Sequence, residues 1–202
     1  MSKRGPSQET RKSIIDAALG EFGERGYKGA TTIGISKAAG VSEKTLFDLF
    51  GNKKALYLET LGSEQEKFFA LIIPSLPIGA GAPVVLRSLA RRFIVYLNEN
   101  RGFASLLREG ISHPYDAQVR KYTRDFILNF KNFVQKILEE GCKSGLVKKE
   151  IDKSQIAWSF TIGLLASLFP EQDEISAQRD EIALMFIESL IDYAETKTGS
   201  KD

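Results

Sequence analysis

The twenty residues from Thr31 to Phe50, TTIGISKAAGVSEKTLFDLF, admit few folds, because a glycine divides two amphipathic runs of about two turns each. Thr31 stands where an N-cap hydroxyl would accept from an orphan helical N–H, and Ile35 with Ala38 and Ala39 supplies an inner face. Gly40 stops the first run in the left-handed conformation that favours glycine, Val41 plugs the angle, and Ser42 caps the second run. There Leu46 and Phe50 lie four apart and face inward with Leu49 beside them, leaving Glu43, Lys44, Thr45, Phe47 and Asp48 to look outward or sideways. Helices this short cannot bury themselves. Upstream, Ile14, Ile15, Ala18, Leu19 and Phe22 recur at helical spacing and predict a supporting helix over residues 8–25. A bent pair with a polar outer face is a device for laying one helix into a DNA groove.

Ala17-Ala18-Leu19, Phe22 and Gly26-Tyr27 lead into Ala30-Thr31-Thr32, Ile35, Ala39-Gly40-Val41-Ser42, Thr45-Leu46-Phe47, Phe50, and Lys53 with Leu56. In this register the segment from about Arg11 to Leu56 resembles the N-terminal DNA-binding domain of the tetracycline-repressor (TetR) family of bacterial transcription regulators. Agreement over roughly 45 residues is far more specific than a lone short pattern. Three positions depart from the family. Phe47 replaces a usual tyrosine and so offers packing or contact with a thymine methyl in place of a phosphate contact. Leu49 stands where histidine or tyrosine is common, and Gly34 lowers helix propensity by about 1 kcal/mol relative to alanine.

A chain of 202 residues with 43% hydrophobic and 27% charged residues is large enough for a small reading head and a second core. The first ten residues lack an apolar run, and the longest apolar segment, 156–169, is shorter than the ~20 residues of a spanning helix, so no membrane partner is expected. The single cysteine, Cys142, excludes an intramolecular disulfide and fits a reducing cytoplasm. Net charge is +2, yet residues 1–56 carry ten Lys/Arg against six Asp/Glu, whereas residues 57–202 carry eighteen against twenty. That excess suits phosphate contact, although a similar excess occurs on ordinary protein surfaces.

Downstream the pattern is helical throughout, giving an all-α chain with a three-helix head over 1–56 and about six helices over 57–202. Asn52 caps a fourth helix through Leu56, Tyr57, Leu61, Phe68, Phe69 and Ile72, broken by Pro74 and Pro77. Further helices are expected over 84–98, 103–109 (ended by Gly110 and Pro114) and 116–143, the last with Phe126, Phe130, Phe133 and Ile137 on one stripe. Asp152 with Gln155 has the form of a capping box opening an eighth helix to Phe169, and Ser176 opens a ninth to about Thr196. The eighth is apolar nearly all round, with Gly163, Ala166 and Ser167 permitting close approach; the ninth repeats Ile182, Met185, Phe186, Leu190 and Tyr193. Both a dimer interface and burial within one subunit fit that pattern.

The resemblance implies a homodimer joined through the last two helices as a four-helix bundle, reading a palindromic operator in double-stranded DNA and released by a small effector. Lys44 and Thr45 are the candidates for base-edge contact, with Thr32, Glu43 and Phe47 on the same pair of helices; Thr31, Ser42 and Lys53 are candidate phosphate clamps. For Thr31 and Ser42 simple capping is equally expected, and Glu43 either tunes specificity or sits off the contact surface. Lys3 and Arg4 would extend the contact as an arm. Candidate pocket residues are Phe68, Phe69, Phe93, Tyr96, Phe103, Leu107, Phe126, Phe130 and Trp158, with Arg108, Glu109 and His113 as polar groups. Their apolar lining points to a hydrophobic effector, while plain packing accounts for most such aromatics in any helical protein.

No cofactor or metal is expected. One histidine, one cysteine and the lack of HExxH, ExxH pairs or a glycine-rich phosphate loop leave few catalytic options, so an enzyme is disfavoured. A DNA-binding dimer whose second part is a protein-interaction or architectural module, without effector, is the alternative.

Overall fold

A computed structural model describes residues 8–112, 116–168 and 174–196, and these form an all-α chain. The helices are α1 (Gln8–Gly29), α2 (Thr32–Ala38), α3 (Glu43–Phe50), α4 (Lys53–Ile72), α5 (Ala82–Glu99), α6 (Arg101–Ser112), α7 (Ala117–Lys143), α8 (Lys153–Leu165) and α9 (Glu174–Ala194). Among the described residues the one strand-like pairing is an isolated bridge between Val147 and Glu195. Packing divides the chain into two compact units, Met1–Phe68 with Asn100–Arg124, and Phe69–Glu99 with Asp125–Asp202.

In the first unit Ile14, Ala18 and Phe22 of α1, Ile35 of α2, Leu46 of α3 and Leu56 and Leu61 of α4 are fully buried. Each of the buried leucine, isoleucine and phenylalanine side chains contributes about 1.5–3 kcal/mol. The amphipathic spacing therefore accounts for the support that the short pair needs. Ion pairs fasten the same elements. Arg11 of α1 pairs with Glu59 of α4, donates to the Leu49 carbonyl and lies 4.6 Å over the Phe50 ring. Lys67 of α4 bonds Glu64 at 2.6 Å and Asp16 of α1 at 3.4 Å; burial pulls its pKa down, but the two carboxylates carry it above its ordinary value.

Helix α6 lies against α1 at a glycine crossing. A Cβ on Gly23 would stand 2.7 Å from the Gly102 Cα, and one on Gly102 would meet Leu19 at 3.1 Å. Only bare backbones approach this closely.

In the second unit the buried faces are Val85, Leu86, Leu89 and Phe93 of α5, Phe126, Phe130, Val134 and Leu138 of α7, Ala157, Phe160 and Leu164 of α8, and Ala183, Ile187 and Ile191 of α9. Arg87 of α5 joins α9 through Glu188 and Asp192, both at 2.8 Å, and Glu195 at 3.2 Å.

Several expected boundaries move. Helix α1 continues to Gly29 across a non-helical Gly26 (φ 66°), so the chain bends without leaving the helix for long. Ala38 is exposed, and Ser36 joins Ile35 inside α2. Gly110 does not end α6; it is buried within it, facing Thr123. The buried stripe of α7 follows a strict spacing of four, 126, 130, 134 and 138, leaving Phe133 and Ile137 half-buried. Asp116 caps α7, accepting from Gln118 and Val119. Gly141 is internal to α7, where a Cβ would lie 2.5 Å from Val147 Cγ2 and 2.6 Å from Ala82 Cβ, and Gly145 (φ 77°) follows the end. Helix α8 stops at Leu165, followed by a 3-10 turn over Ala166–Leu168; Phe169 lies outside the described residues. Helix α9 starts at Glu174, two residues before Ser176.

Candidate nucleic-acid interface

The caps form at the expected residues. Thr31 Oγ1 accepts from Gly34 N at 3.0 Å, Ser42 Oγ from Thr45 N at 3.1 Å, and Asn52 Oδ1 from Ala55 N at 2.8 Å. Gly40 has φ 68°, the left-handed turn that returns the chain between α2 and α3. Gly34 acquires a reason here. A Cβ at that position would lie 2.6 Å from Glu21 Oε1 and 2.9 Å from Thr31 Oγ1, and Glu21 Oε1 accepts from Thr31 N at 3.3 Å. The glycine makes room for a carboxylate of α1 at the start of α2.

The polar residues of the pair are engaged with one another. Thr32 donates to Glu43, fixing the start of α2 to the start of α3. The Ser42 and Thr45 hydroxyls are 2.8 Å apart. Lys44, with 82% of its side chain exposed, bonds Asp48 at 2.9 Å across one helical turn. Such an exposed pair is worth only about 0.3–0.5 kcal/mol, so the ammonium exchanges partners at little cost. Lys53 opens α4 half-buried, its Nζ 4.7 Å from the centre of the Tyr27 ring. Phe47 is 41% exposed, and Ile33 of α2 is 66% exposed. Lys12, Lys28 and Lys37 add exposed cations to the head. Lys3 and Arg4 lie outside the described residues.

Behind this face the α1 bend is held from α6. Both oxygens of Glu109 lie 2.9 Å from Tyr27 N, which follows the non-helical Gly26. Tyr27 stacks with Phe22 and meets Tyr57 edge-on at 5.1 Å, and Tyr57 Oη donates to the Leu106 carbonyl at 3.4 Å. Burial raises the Tyr57 hydroxyl well above its ordinary pKa, with the Glu109 charge adding to it; burial first, then Asp116, raises Tyr27. Lys54 of α4 binds Asp116 at 2.7 Å, and that hydrogen bond lowers the Asp116 pKa.

The pocket candidates fall into two groups. In the first unit Phe68 and Phe103 are buried with ring centres 6.3 Å apart, Leu107 is buried, and Glu109 engages Tyr27. In the second unit Phe69 meets Phe126 at 5.5 Å and Phe93 meets Phe130 at 5.0 Å, with Tyr96 buried. Trp158 is 36% exposed on the outer side of α8, where it lines an open hollow of 710 Å³ with Ile162, Gly163 and Phe186. His113 lies outside the described residues. Arg11, Glu21 and Ile33 escaped sequence reading. Arg11 and Glu59 are 48 residues apart with no local pattern to join them, whereas the i, i+4 spacing of Lys44 and Asp48 was a visible signal.

Among the described residues no cluster of His, Cys, Asp or Glu could hold a metal ion, and no helix is long and apolar enough to cross a membrane.

Residues 14–60 match the family described as bacterial regulatory proteins, tetR family. The HTH-type transcriptional repressor KstR2 of Rhodococcus jostii is 22% identical over 142 residues, 70% of each chain. A TetR transcription regulator from Haloarcula marismortui has the same fold, with a TM-score of 0.82 at 18% identity over 94% of this chain and 100% of its own. So does FadR of Bacillus subtilis, solved in complex with stearoyl-CoA, with a TM-score of 0.73 at 20% identity over 87% of this chain and 97% of its own. A capped, glycine-bent helix pair on a buttressing α1, matched in sequence over residues 14–60, identifies that segment as a helix-turn-helix domain of the tetR family of bacterial regulatory proteins.

Proposed function

We propose that the chain works as a homodimeric repressor that reads a palindromic operator and is released by a small hydrophobic effector. The observation that carries this is the α2–α3 pair itself, whose caps and braces are satisfied internally while Lys44 and Phe47 project outward. A two-fold dimer would set two α3 helices about 34–36 Å apart, on successive major-groove faces of one side of the duplex. Lys44 leaves Asp48 for a guanine edge, with Thr45 beside it. Thr31, Ser42 and Lys53 position the head on phosphates, and the Thr32–Glu43 bond keeps the two helices in register.

The last two helices support the dimer. Trp158 and Ile162 of α8 and Ile182, Met185, Phe186 and Tyr193 of α9 are all at least 36% exposed, and Trp158, Ile162 and Phe186 line one hollow. Repression follows the named activity of the KstR2 relative, and the stearoyl-CoA held by FadR supports a hydrophobic effector for this chain. The relatives are regulators, which supports a non-enzymatic role. The effector then shifts the dimer away from its DNA-bound spacing with a coupling of about 1–3 kcal/mol.

Sedimentation and operator binding of Phe186→Glu test the dimer: a monomer with weakened, non-cooperative binding is expected, and an intact dimer with unchanged affinity would refute it. Native mass spectrometry of the purified protein, followed by titration of the identified molecule into the DNA complex, tests the effector. Failure of any bound molecule to release DNA would favour the module without effector.

A further inference from the structure

We infer that Ile33 and Phe47 form an apolar reader that recognises thymine C5-methyl groups, so that specificity rests on methyl contact as well as on hydrogen bonds. The inference rests on the proposed DNA reading and deepens it. Within residues 8–68 these two are the exposed large hydrophobic side chains, at 66% and 41%, and both project from the reading pair. The hydroxyls beside them are already engaged, Thr32 with Glu43 and Thr45 with Ser42. A hydroxyl or carboxylate committed within the protein discriminates bases poorly, whereas an exposed branched or aromatic side chain has no internal partner to give up.

Placement follows from the brace. Thr32 and Glu43 join the first turns of α2 and α3; Ile33 is the next residue on α2, and Phe47 lies one turn after Glu43 on α3. Both residues therefore lie within about one helical turn of that bond, in a head that also carries the exposed cations Lys44, Lys12, Lys28 and Lys37. Positive charge attracts the phosphates of a duplex but would repel a cationic partner, and the apolar atom that a duplex offers in its major groove is the thymine methyl. Water leaves both surfaces when the methyl meets Ile33 or Phe47, and that burial exists only at A·T pairs.

The test uses the full chain. Duplexes selected from a random pool by the wild-type protein are resynthesised with single deoxyuridine-for-thymidine replacements, which remove one methyl and keep every hydrogen-bonding group. Wild-type affinity should fall roughly fourfold at the contacted thymines, the worth of one buried methyl-sized group. Ile33→Ala should become indifferent to the replacement at one position and Phe47→Ala at another, each still sensitive at the other's. Selected sites bound tightly but with no uracil sensitivity anywhere would overturn this inference and leave the DNA reading standing. Failure to select any duplex over random sequence would overturn both. The wild-type measurement decides the matter even if a variant folds poorly.

Discussion

Removing the Glu109 carboxylate should loosen the reading head from behind. Gly26 takes Tyr27 N–H out of regular helix geometry, and both Glu109 oxygens, 2.9 Å away, accept from it. A hydrogen bond to a charged group contributes about 1.5–3 kcal/mol, and a half-buried N–H left without an acceptor adds part of its desolvation penalty. Glu109→Ala should therefore cost about 2 kcal/mol, which for a chain of this size lowers Tm by about 4–8 °C. Glu109→Gln keeps one acceptor oxygen without the charge and should lose about half as much. Thermal and urea unfolding followed by circular dichroism give both values, and near-ultraviolet spectra should report the change around Tyr27 and Tyr57. An alanine variant within about 0.5 kcal/mol of wild type would show that water replaces the carboxylate at no cost, and the reasoning would fail.

Four further outcomes are expected. Lys53→Ala should weaken binding to all duplexes and reduce the salt slope by about one, whereas Lys44→Ala should relax preference at one base pair by about 1–3 kcal/mol; equal losses on specific and random DNA would contradict that division. Gly34→Ala should destabilise despite alanine's better helix propensity, since its Cβ meets Glu21 and Thr31; a rise in Tm would contradict the crowding argument. The raised Tyr57 pKa means that its share of stability is present below about pH 10 and is lost as pH rises further, so Tyr57→Phe should show a flatter alkaline limb in stability against pH. The lowered Asp116 pKa works oppositely: its contribution is present above the ordinary carboxylate range and lost as pH falls through it, so Asp116→Asn should flatten the acid limb.

What the sequence made legible was local. Thr31, Ser42, Asn52 and Asp152 each stand one residue before a helix, and each cap bond forms, because the acceptor and its N–H are three residues apart. Leu46 and Phe50 turn inward for the same reason, a spacing of four on one short helix. The Glu109–Tyr27 contact spans 82 residues and depends on a bend at Gly26 that a glycine at that position permits without requiring. The aromatic residues assigned to one pocket illustrate the other limit. Helical spacing says that Phe68, Phe69, Phe103 and Phe126 are inside; it does not say inside what, and they divide between two cores.

The glycine crossing of α1 and α6 bears on anyone wishing to graft this reader onto another scaffold. A fragment severed after residue 56 would strip the partner from Gly23 and bare Leu19, and it would forfeit the carboxylate that seats Tyr27. A transplant should carry residues 101–112 along, or supply a substitute helix with a glycine at the meeting point.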